Sequence, residues 1–259
     1  MLCSWFRIGL GWLPILVGIF MGMSIFIPYA ISVSLGHVSA GFPYISDTGT
    51  YTPESCIFGQ LLNITSALAF ASIYVRYKQV QEYTKDSQPE IGKWNKVSLF
   101  FGCIAALGMS LVANFQELNV LTVHLIGATG CFGLGTVYCF IQTSISYRIH
   151  PHFCTQTAYR VRSVLSFLSL IAFVFTMVFA SLANQKWDGN LDEKTKWTKD
   201  NGGYTEHVLS TTSEWILAFS FLAFFFTFIR EFQRIELEAQ LKPSTYCLLL
   251  GTSPSGAYS

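Results

Sequence analysis

Long apolar segments separated by short polar connections dominate the chain. The segment at residues 8–35 contains no Asp, Glu, Lys or Arg, and five more follow, at about residues 57–75, 97–113, 120–146, 163–183 and 208–229. A helix needs about 20 largely apolar residues to cross a bilayer, and only helical hydrogen bonding satisfies the backbone of such a segment there. The pattern predicts an all-α bundle of six transmembrane helices over residues 1–241 and a short tail over residues 242–259.

The first apolar segment is expected to remain in the mature protein. Its length exceeds the roughly 7–15 apolar residues of a signal peptide, and it contains Pro14 and Pro28. We interpret it as a retained, kinked helix, because proline interrupts helical hydrogen bonding.

Basic residues predict the orientation of the bundle. Most of the 16 Lys and Arg residues lie in the second connection, the fourth connection and the tail, whereas the first and third connections have none. Because cytosolic loops carry the excess of Lys and Arg, both termini and the tail are predicted to be cytosolic. We expect Arg76, Tyr77 and Lys78 to anchor the second helix at the cytosolic interface.

Composition agrees with a membrane protein and excludes a nucleic-acid partner. Hydrophobic residues make up 51% of the chain and charged residues only 12%, against about 25% in soluble domains. The net charge of +1 supplies no basic field.

We predict no cofactor, no metal and no catalytic residue. Phosphate-binding loops, a nucleophile elbow and complete metal motifs do not occur in the sequence. His150, His152 and Cys154 are three ligand types in one connection, but zinc needs a fourth ligand or an open catalytic position. We interpret them as incidental.

Two ionisable residues lie inside predicted helices. Glu214 and His124 are each one or two turns from the lumenal end of their segments, so they could pair, and an acidic lumen would charge the histidine and strengthen the pair. Such groups are costly in a bilayer and require a partner or a function. The alternative is two polar groups that hydrogen-bond to neighbours or water.

Further polar residues share the predicted lumenal side. In principle, carboxylates with a histidine can perform acid–base chemistry, although solvated loop positions explain them as well. These residues are Asp47, Glu54, Asn114, Gln116, Glu117 and His207.

Small and amide residues suggest contacts between helices. Gly18 and Gly22 form a small-xxx-small pair, and Gly127 begins a glycine-rich stretch of the fourth segment. Asn63-Ile64-Thr65 matches the glycosylation acceptor, but it lies inside a predicted helix. We expect Asn63 to be unmodified and to hydrogen-bond between helices.

The predicted cytosolic side offers two kinds of targeting feature. Tyr246 and Leu249 bound a Tyr-x-x-apolar pattern, which is typical of endolysosomal sorting signals. Cys3, Cys154 and Cys247 are candidates for palmitoylation.

Five segments, in order along nearly the whole chain, resemble the DRAM family of damage-regulated autophagy modulators. The tail after about residue 241 lies outside the resemblance. The segments are Pro43–Thr50 with Pro53-Glu54, Tyr74–Lys78, Val112–Glu117 with His124 after it, Glu214-Trp215, and Phe228–Gln233.

The resemblance implies a non-enzymatic, six-helix protein of the lysosomal membrane, or of late endosomes or the plasma membrane, that promotes autophagy and influences apoptosis. Its partners would be membrane lipids and other membrane proteins. In physical terms, Asp47-Thr48-Gly49 favours an Asx turn, in which Gly49 permits a positive φ. That turn either caps the bundle or recognises a lumenal partner or a lipid headgroup.

Two other functions remain open. An ion channel or transporter would use Glu214 and His124 inside the membrane. A lipid-modifying enzyme would use the lumenal carboxylates with His207, but no motif distinguishes it.

Overall fold

The computed structural model describes residues 9–85, 88–151, 153–189 and 194–236. Six helices in this part of the chain are long and apolar enough to cross a membrane, which confirms the predicted all-α fold. They are α1 (Trp12–Ser34), α2 (Glu54–Thr84), α3 (Pro89–Asn114), α4 (Leu121–Arg148), α5 (Gln156–Lys186) and α6 (Tyr204–Phe226), with a short α7 (Ile229–Phe232) after α6.

The helices pack as a closed ring in chain order. Each of α1 to α6 packs against its neighbours in the sequence, and α1 also packs against α6 and α7. The connections α1–α2, α3–α4 and α5–α6 meet at one end of the bundle, which we call the first-loop end. The connections α2–α3 and α4–α5 and helix α7 lie at the other, the second-loop end.

The outer surface of the bundle is apolar, as contact with lipid requires. Phe100, Leu107, Ile126 and Val164 are each exposed by 60–67%. Large apolar side chains with this exposure are unfavourable in water and favourable in hydrocarbon. The polar side chains are instead concentrated inside the bundle, near its two ends.

Close backbone contacts hold α3 against α4. A Cβ atom on Gly108 would lie 2.6 Å from the Cys131 nitrogen and from the Gly127 carbonyl oxygen, so only glycine fits. At the same level, the π-helical turn Gly130–Leu134 interrupts α4. Helix α4 therefore approaches α3 through the glycine-rich stretch noted in the sequence.

Only one glycine of the predicted pair in α1 makes a close contact with another helix. A Cβ on Gly18 would lie 2.3 Å from the ring of Phe226 on α6, whereas a Cβ on Gly22 would meet nothing within 4 Å. The contact is therefore between a glycine and an aromatic ring, and not between two small-residue stripes.

Candidate functional site

The α1–α2 connection is tied into the first-loop end by two side-chain carboxylates. The backbone N–H of Ile45 donates a hydrogen bond to Glu214 Oε2 at 2.8 Å, and Ser46 Oγ donates to Glu117 Oε2 at 2.8 Å. Glu214 belongs to α6 and Glu117 to the α3–α4 connection. The loop thereby joins two distant parts of the ring.

The turn that follows is buried and closes this end of the bundle. Asp47–Gly49 forms a 3-10 turn, and Thr48 Oγ1 donates to the Ile45 carbonyl at 2.7 Å. Gly49 does not use the positive φ that glycine permits: the positive-φ glycines among the described residues are Gly9, Gly36 and Gly203. Gly49 is needed because a Cβ would lie 2.5 Å from the ring of Phe58.

Asp47, Glu117 and Glu214 form a group that we call the carboxylate cluster. Asp47 is almost fully buried. Burial raises the pKa of its carboxyl well above the usual value, and the charges of Glu117 and Glu214 raise it further. Lys194 and a hydrogen bond from the Tyr44 backbone act in the opposite direction. The buried carboxyl therefore favours its protonated form.

His124 lies beside the cluster but does not hydrogen-bond to Glu214. Its Nδ1 is 2.7 Å from the Phe115 carbonyl oxygen, and its Nε2 is 4.0 Å from Glu117 Oε2. A carbonyl only accepts hydrogen bonds, so Nδ1 carries a hydrogen. The pair proposed from the sequence is replaced by two separate attachments, His124 to the α3–α4 connection and Glu214 to the loop at Ile45.

Glu54 has a histidine partner that the sequence reasoning missed. At the start of α2 it is fully buried, and its Oε1 is 2.5 Å from His37 Nδ1. Its Oε2 has no hydrogen-bond partner in the described part of the chain. His37 stands 17 residues earlier in a loop, and no periodic pattern connects the two positions.

Asn63 forms the predicted contact between helices. Ser110 Oγ donates to Asn63 Oδ1 at 2.7 Å, and the side-chain amides of Asn63 and Asn114 lie 3.1 Å apart. This confirms the expected bridge from α2 to α3 and accounts for Asn114. Gln116 lies outside it and makes only local bonds with Asn119 and Val120.

His207 belongs to an aromatic stack and stands apart from the carboxylate cluster. Its ring is parallel to that of Trp197 at 4.3 Å and meets the Tyr44 ring edge-on at 5.1 Å. The Tyr44 hydroxyl donates to Ser210 Oγ at 2.8 Å. These contacts attach the α5–α6 connection to the first loop.

A central cavity runs between the helices from the first-loop end. Together with space that is open to the surroundings, its empty volume is about 1070 Å³. Glu214, His124 and Ser46 line it at the cluster, and most of its remaining lining is aliphatic or aromatic, for example Ile25 and Phe221. The structure thus brings Glu214 and His124 to one cavity.

A second polar group, whose members the sequence reasoning did not bring together, lies at the second-loop end. Glu231 on α7 binds Arg76 of α2 at 2.5 Å and Arg162 of α5 at 2.7 Å. Both guanidinium groups also lie over the ring of Phe228, at 5.0 and 4.3 Å. We call Arg76, Arg162 and Glu231 the arginine cluster.

The arginine cluster is closed to solvent. Arg76 and Arg162 are exposed by no more than 1%. Their other donors bond to polar atoms of Gln79, Gln142, Ser146, Cys154 and Thr227. The expected role of Arg76 as an interface anchor is therefore wrong: it is a buried link among α2, α4 and α7, because its donors find partners inside the bundle.

The structure describes only some of the other positions that the sequence singled out. No group of three or more His, Cys, Asp or Glu suited to a metal occurs in residues 9–85, 88–151, 153–189 and 194–236. Cys154 is buried against Arg162, so an acyltransferase cannot reach its thiol. The predicted sorting residues Tyr246 and Leu249, with Cys3, His152 and Cys247, lie outside the described residues.

Comparison with known proteins gives matches along almost the whole described region. The family model for the Frag1/DRAM/Sfk1/Cwh43P N-terminal domain matches residues 9–235. Human DNA damage-regulated autophagy modulator protein 2 is 37% identical over 237 residues, which cover 91% of this chain and 89% of the relative.

Two further relatives have similar names. Human DNA damage-regulated autophagy modulator protein 1 is 38% identical over 237 residues, or 92% of this chain and 96% of its own length. The Xenopus laevis modulator of macroautophagy TMEM150B-B is 45% identical over 141 residues, or 54% of this chain and 59% of its own. No solved structure gives a significant match.

Proposed function

The chain belongs to the Frag1/DRAM family, and from this premise we propose that it is a multi-pass protein of the lysosomal membrane that promotes autophagy and influences apoptosis. It acts through membrane lipids or other membrane proteins and catalyses no reaction of its own. Its termini face the cytosol, so that the first-loop end faces the lumen.

One observation carries this proposal. Two human relatives, each named as an autophagy modulator, align with about nine tenths of this chain. The family model covers residues 9–235, which include the six helices and the loop with the carboxylate cluster. Similarity over a complete membrane domain favours a shared role more than a short motif would.

The interior of the bundle favours a regulator over an ion channel. An ion in the membrane needs polar ligands or water along its path. The central cavity has polar side chains mainly at the carboxylate cluster and apolar ones such as Ile73, Phe221 and Phe225 beyond it. The guanidinium groups of the arginine cluster already have protein partners. A hydrated ion would therefore meet an apolar barrier between the two ends.

The test is autophagic flux in cells that lack the protein. Turnover of a lipidated autophagosome marker is compared under starvation and DNA damage in knockout cells, with and without re-expression of the intact chain. Reduced turnover that the intact chain restores supports the proposal. Normal turnover in the knockout under both stresses overturns it.

The lysosomal location has its own test in the tail. A tagged chain is compared with Tyr246→Ala, which removes the Tyr-x-x-apolar pattern, and with Tyr258→Ala, which removes a tail tyrosine outside that pattern. Overlap with a lysosomal marker that is lost only in Tyr246→Ala supports both the location and the signal. Residence of all three at the cell surface contradicts the location.

A further inference from the structure

The central cavity ends at two hydrogen-bond acceptors. Glu214 is 7% exposed and forms part of the cavity wall. Its Oε2 accepts the hydrogen bond from Ile45, while Oε1 accepts none from any residue in the described ranges. His124 also lines the cavity, and because its Nδ1 carries the hydrogen, Nε2 of the neutral ring is an acceptor. These two atoms can accept hydrogen bonds from a ligand at this end.

The charge around these acceptors favours a cation. Asp47 and Glu117 stand next to Glu214, and their charges act on one another. Within the described part of the chain, neither Asp47 nor Glu214 forms a salt bridge, and the His124 ring, 4.0 Å from Glu117 Oε2, pairs with that carboxylate only when it is protonated. Lys194 is close enough to affect Asp47 but forms no contact ion pair with it. The cluster thus holds acidic groups without a contact ion pair beside the cavity. An ammonium group there would supply the positive charge that a bound proton supplies to Asp47 in its absence.

The rest of the cavity suits one slender apolar group. On α6 its lining extends from Glu214 to Phe225, which corresponds to about 16 Å at the helical rise. The wall along this length includes Ile25, Leu62 and Ala106. Ligand sites are typically of this kind, with apolar walls and a few placed polar groups. A hydrocarbon chain would therefore replace empty space with favourable contacts.

We propose that the central cavity binds a single-chain amphiphile with a primary ammonium group, of the long-chain amine class to which sphingoid bases belong. The ammonium group donates hydrogen bonds to Glu214 and His124, and the hydrocarbon chain extends toward Phe225. The proposed function leaves the membrane lipid unnamed, and this proposal names its class. The link between this lipid and autophagy rests on the proposed function. The binding itself is measured on purified protein, so it can fail while the role in autophagy stands.

The first experiment uses the intact chain in detergent with a photoreactive, clickable long-chain amine. Labelling is competed with an unlabelled amine, with an alcohol of the same chain length and with cholesterol. We expect labelled peptides from α4 and α6, and at least a tenfold advantage of the amine over the other two competitors. Equal competition by amine and alcohol, better competition by cholesterol, or no labelled peptide from the cavity overturns the proposal.

Variants test the two parts of the site separately. Glu214→Gln removes the charge and keeps an oxygen for the Ile45 N–H, and its control is Glu206→Gln on the same helix, which pairs with Lys186 away from the cavity. Ala128→Phe fills the cavity, and Leu107→Phe on the lipid-facing surface is its control. We expect labelling to fall at least tenfold in Glu214→Gln and Ala128→Phe, and to persist in both controls.

Unchanged labelling of folded Glu214→Gln overturns the role of the carboxylate. Size-exclusion profiles and thermal unfolding identify a variant that has not folded. The competition between amine and alcohol then decides the proposal on the unaltered chain alone.

Discussion

At the scale of single residues, the polar side chains that matter most are buried at the two ends of the bundle. Asp47 is held in the carboxylate cluster, where burial and the charges of Glu117 and Glu214 raise its pKa. Glu231 is held between two arginines. Neutralising these two carboxyls should therefore change the stability of the fold in opposite directions. Asp47 has acidic neighbours, whereas Glu231 has basic ones.

Asp47 makes the folded protein more stable in acid. Because its pKa is raised on folding, the folded state binds more protons than the unfolded state above the usual aspartate pKa. Its stabilising effect is therefore complete below that value and is lost as the pH rises through the folded-state pKa. Asp47→Asn, which cannot ionise, should therefore raise the free energy of unfolding at about pH 7.5 relative to the parent chain.

The measurement is thermal unfolding in detergent at about pH 5 and about pH 7.5. Asp200→Asn, at an exposed position of the α5–α6 connection, is the matched control and should behave as the parent. A destabilised Asp47→Asn at the higher pH would contradict the account.

Glu231→Gln should destabilise the bundle severely. The substitution leaves two buried guanidinium groups without their carboxylate, and removal of one partner from a buried ion pair costs about 3–5 kcal/mol. Glu236→Gln, five residues further along and exposed, removes the same charge outside the cluster. Equal unfolding temperatures for the two variants would show that the cluster contributes little.

These residues also mark the limit of the sequence reasoning. Glu214 and His124 were found because charges inside apolar segments stand out. Arg76 and Glu231 sit at segment ends, where charged residues are ordinary, and 155 positions separate them. Their meeting depends on the closure of the ring between α1 and α6 with α7, which hydropathy does not encode. Asn63 was predictable because an amide inside an apolar segment needs a partner.

At the scale of helices, glycine positions control how closely neighbours approach. Gly108→Ala should lower the unfolding temperature, because its Cβ would lie 2.6 Å from backbone atoms of α4 and force the helices apart. Gly22→Ala meets open space and should be neutral or slightly stabilising, since alanine favours helix over glycine. Thermal unfolding of the two variants tests the contact, and an equal response would contradict it.

Helix number was predictable and helix length was not. The apolar segments correspond to the parts of the six helices that fit the hydrocarbon core of a bilayer. Helix α2 continues to Thr84 and α5 begins at Gln156, because polar residues maintain helical hydrogen bonds outside the bilayer as well. The glycine pair of α1 was only partly predictive. Sequence spacing shows where small residues lie along a helix, but not which neighbouring helix they face.

At the scale of the whole molecule, orientation rests on the basic residues and has a direct test. Lys196→Asn creates an Asn-x-Thr acceptor with Trp197 and Thr198 in the α5–α6 connection. Glu82→Asn creates the corresponding acceptor with Thr84 near the end of α2. With cytosolic termini, only the first should show a mass shift that a glycosidase removes. A glycosidase-sensitive mass shift in Glu82→Asn alone would show the opposite orientation, with the termini in the lumen.

We propose that the carboxylate cluster and the cavity beside it carry the function of this family member. The most direct measurement is autophagic flux in knockout cells that re-express Glu214→Gln or Glu206→Gln at matched abundance in the lysosomal membrane. The account predicts that Glu206→Gln restores turnover of the autophagosome marker and that Glu214→Gln does not. Full restoration by both variants would contradict it.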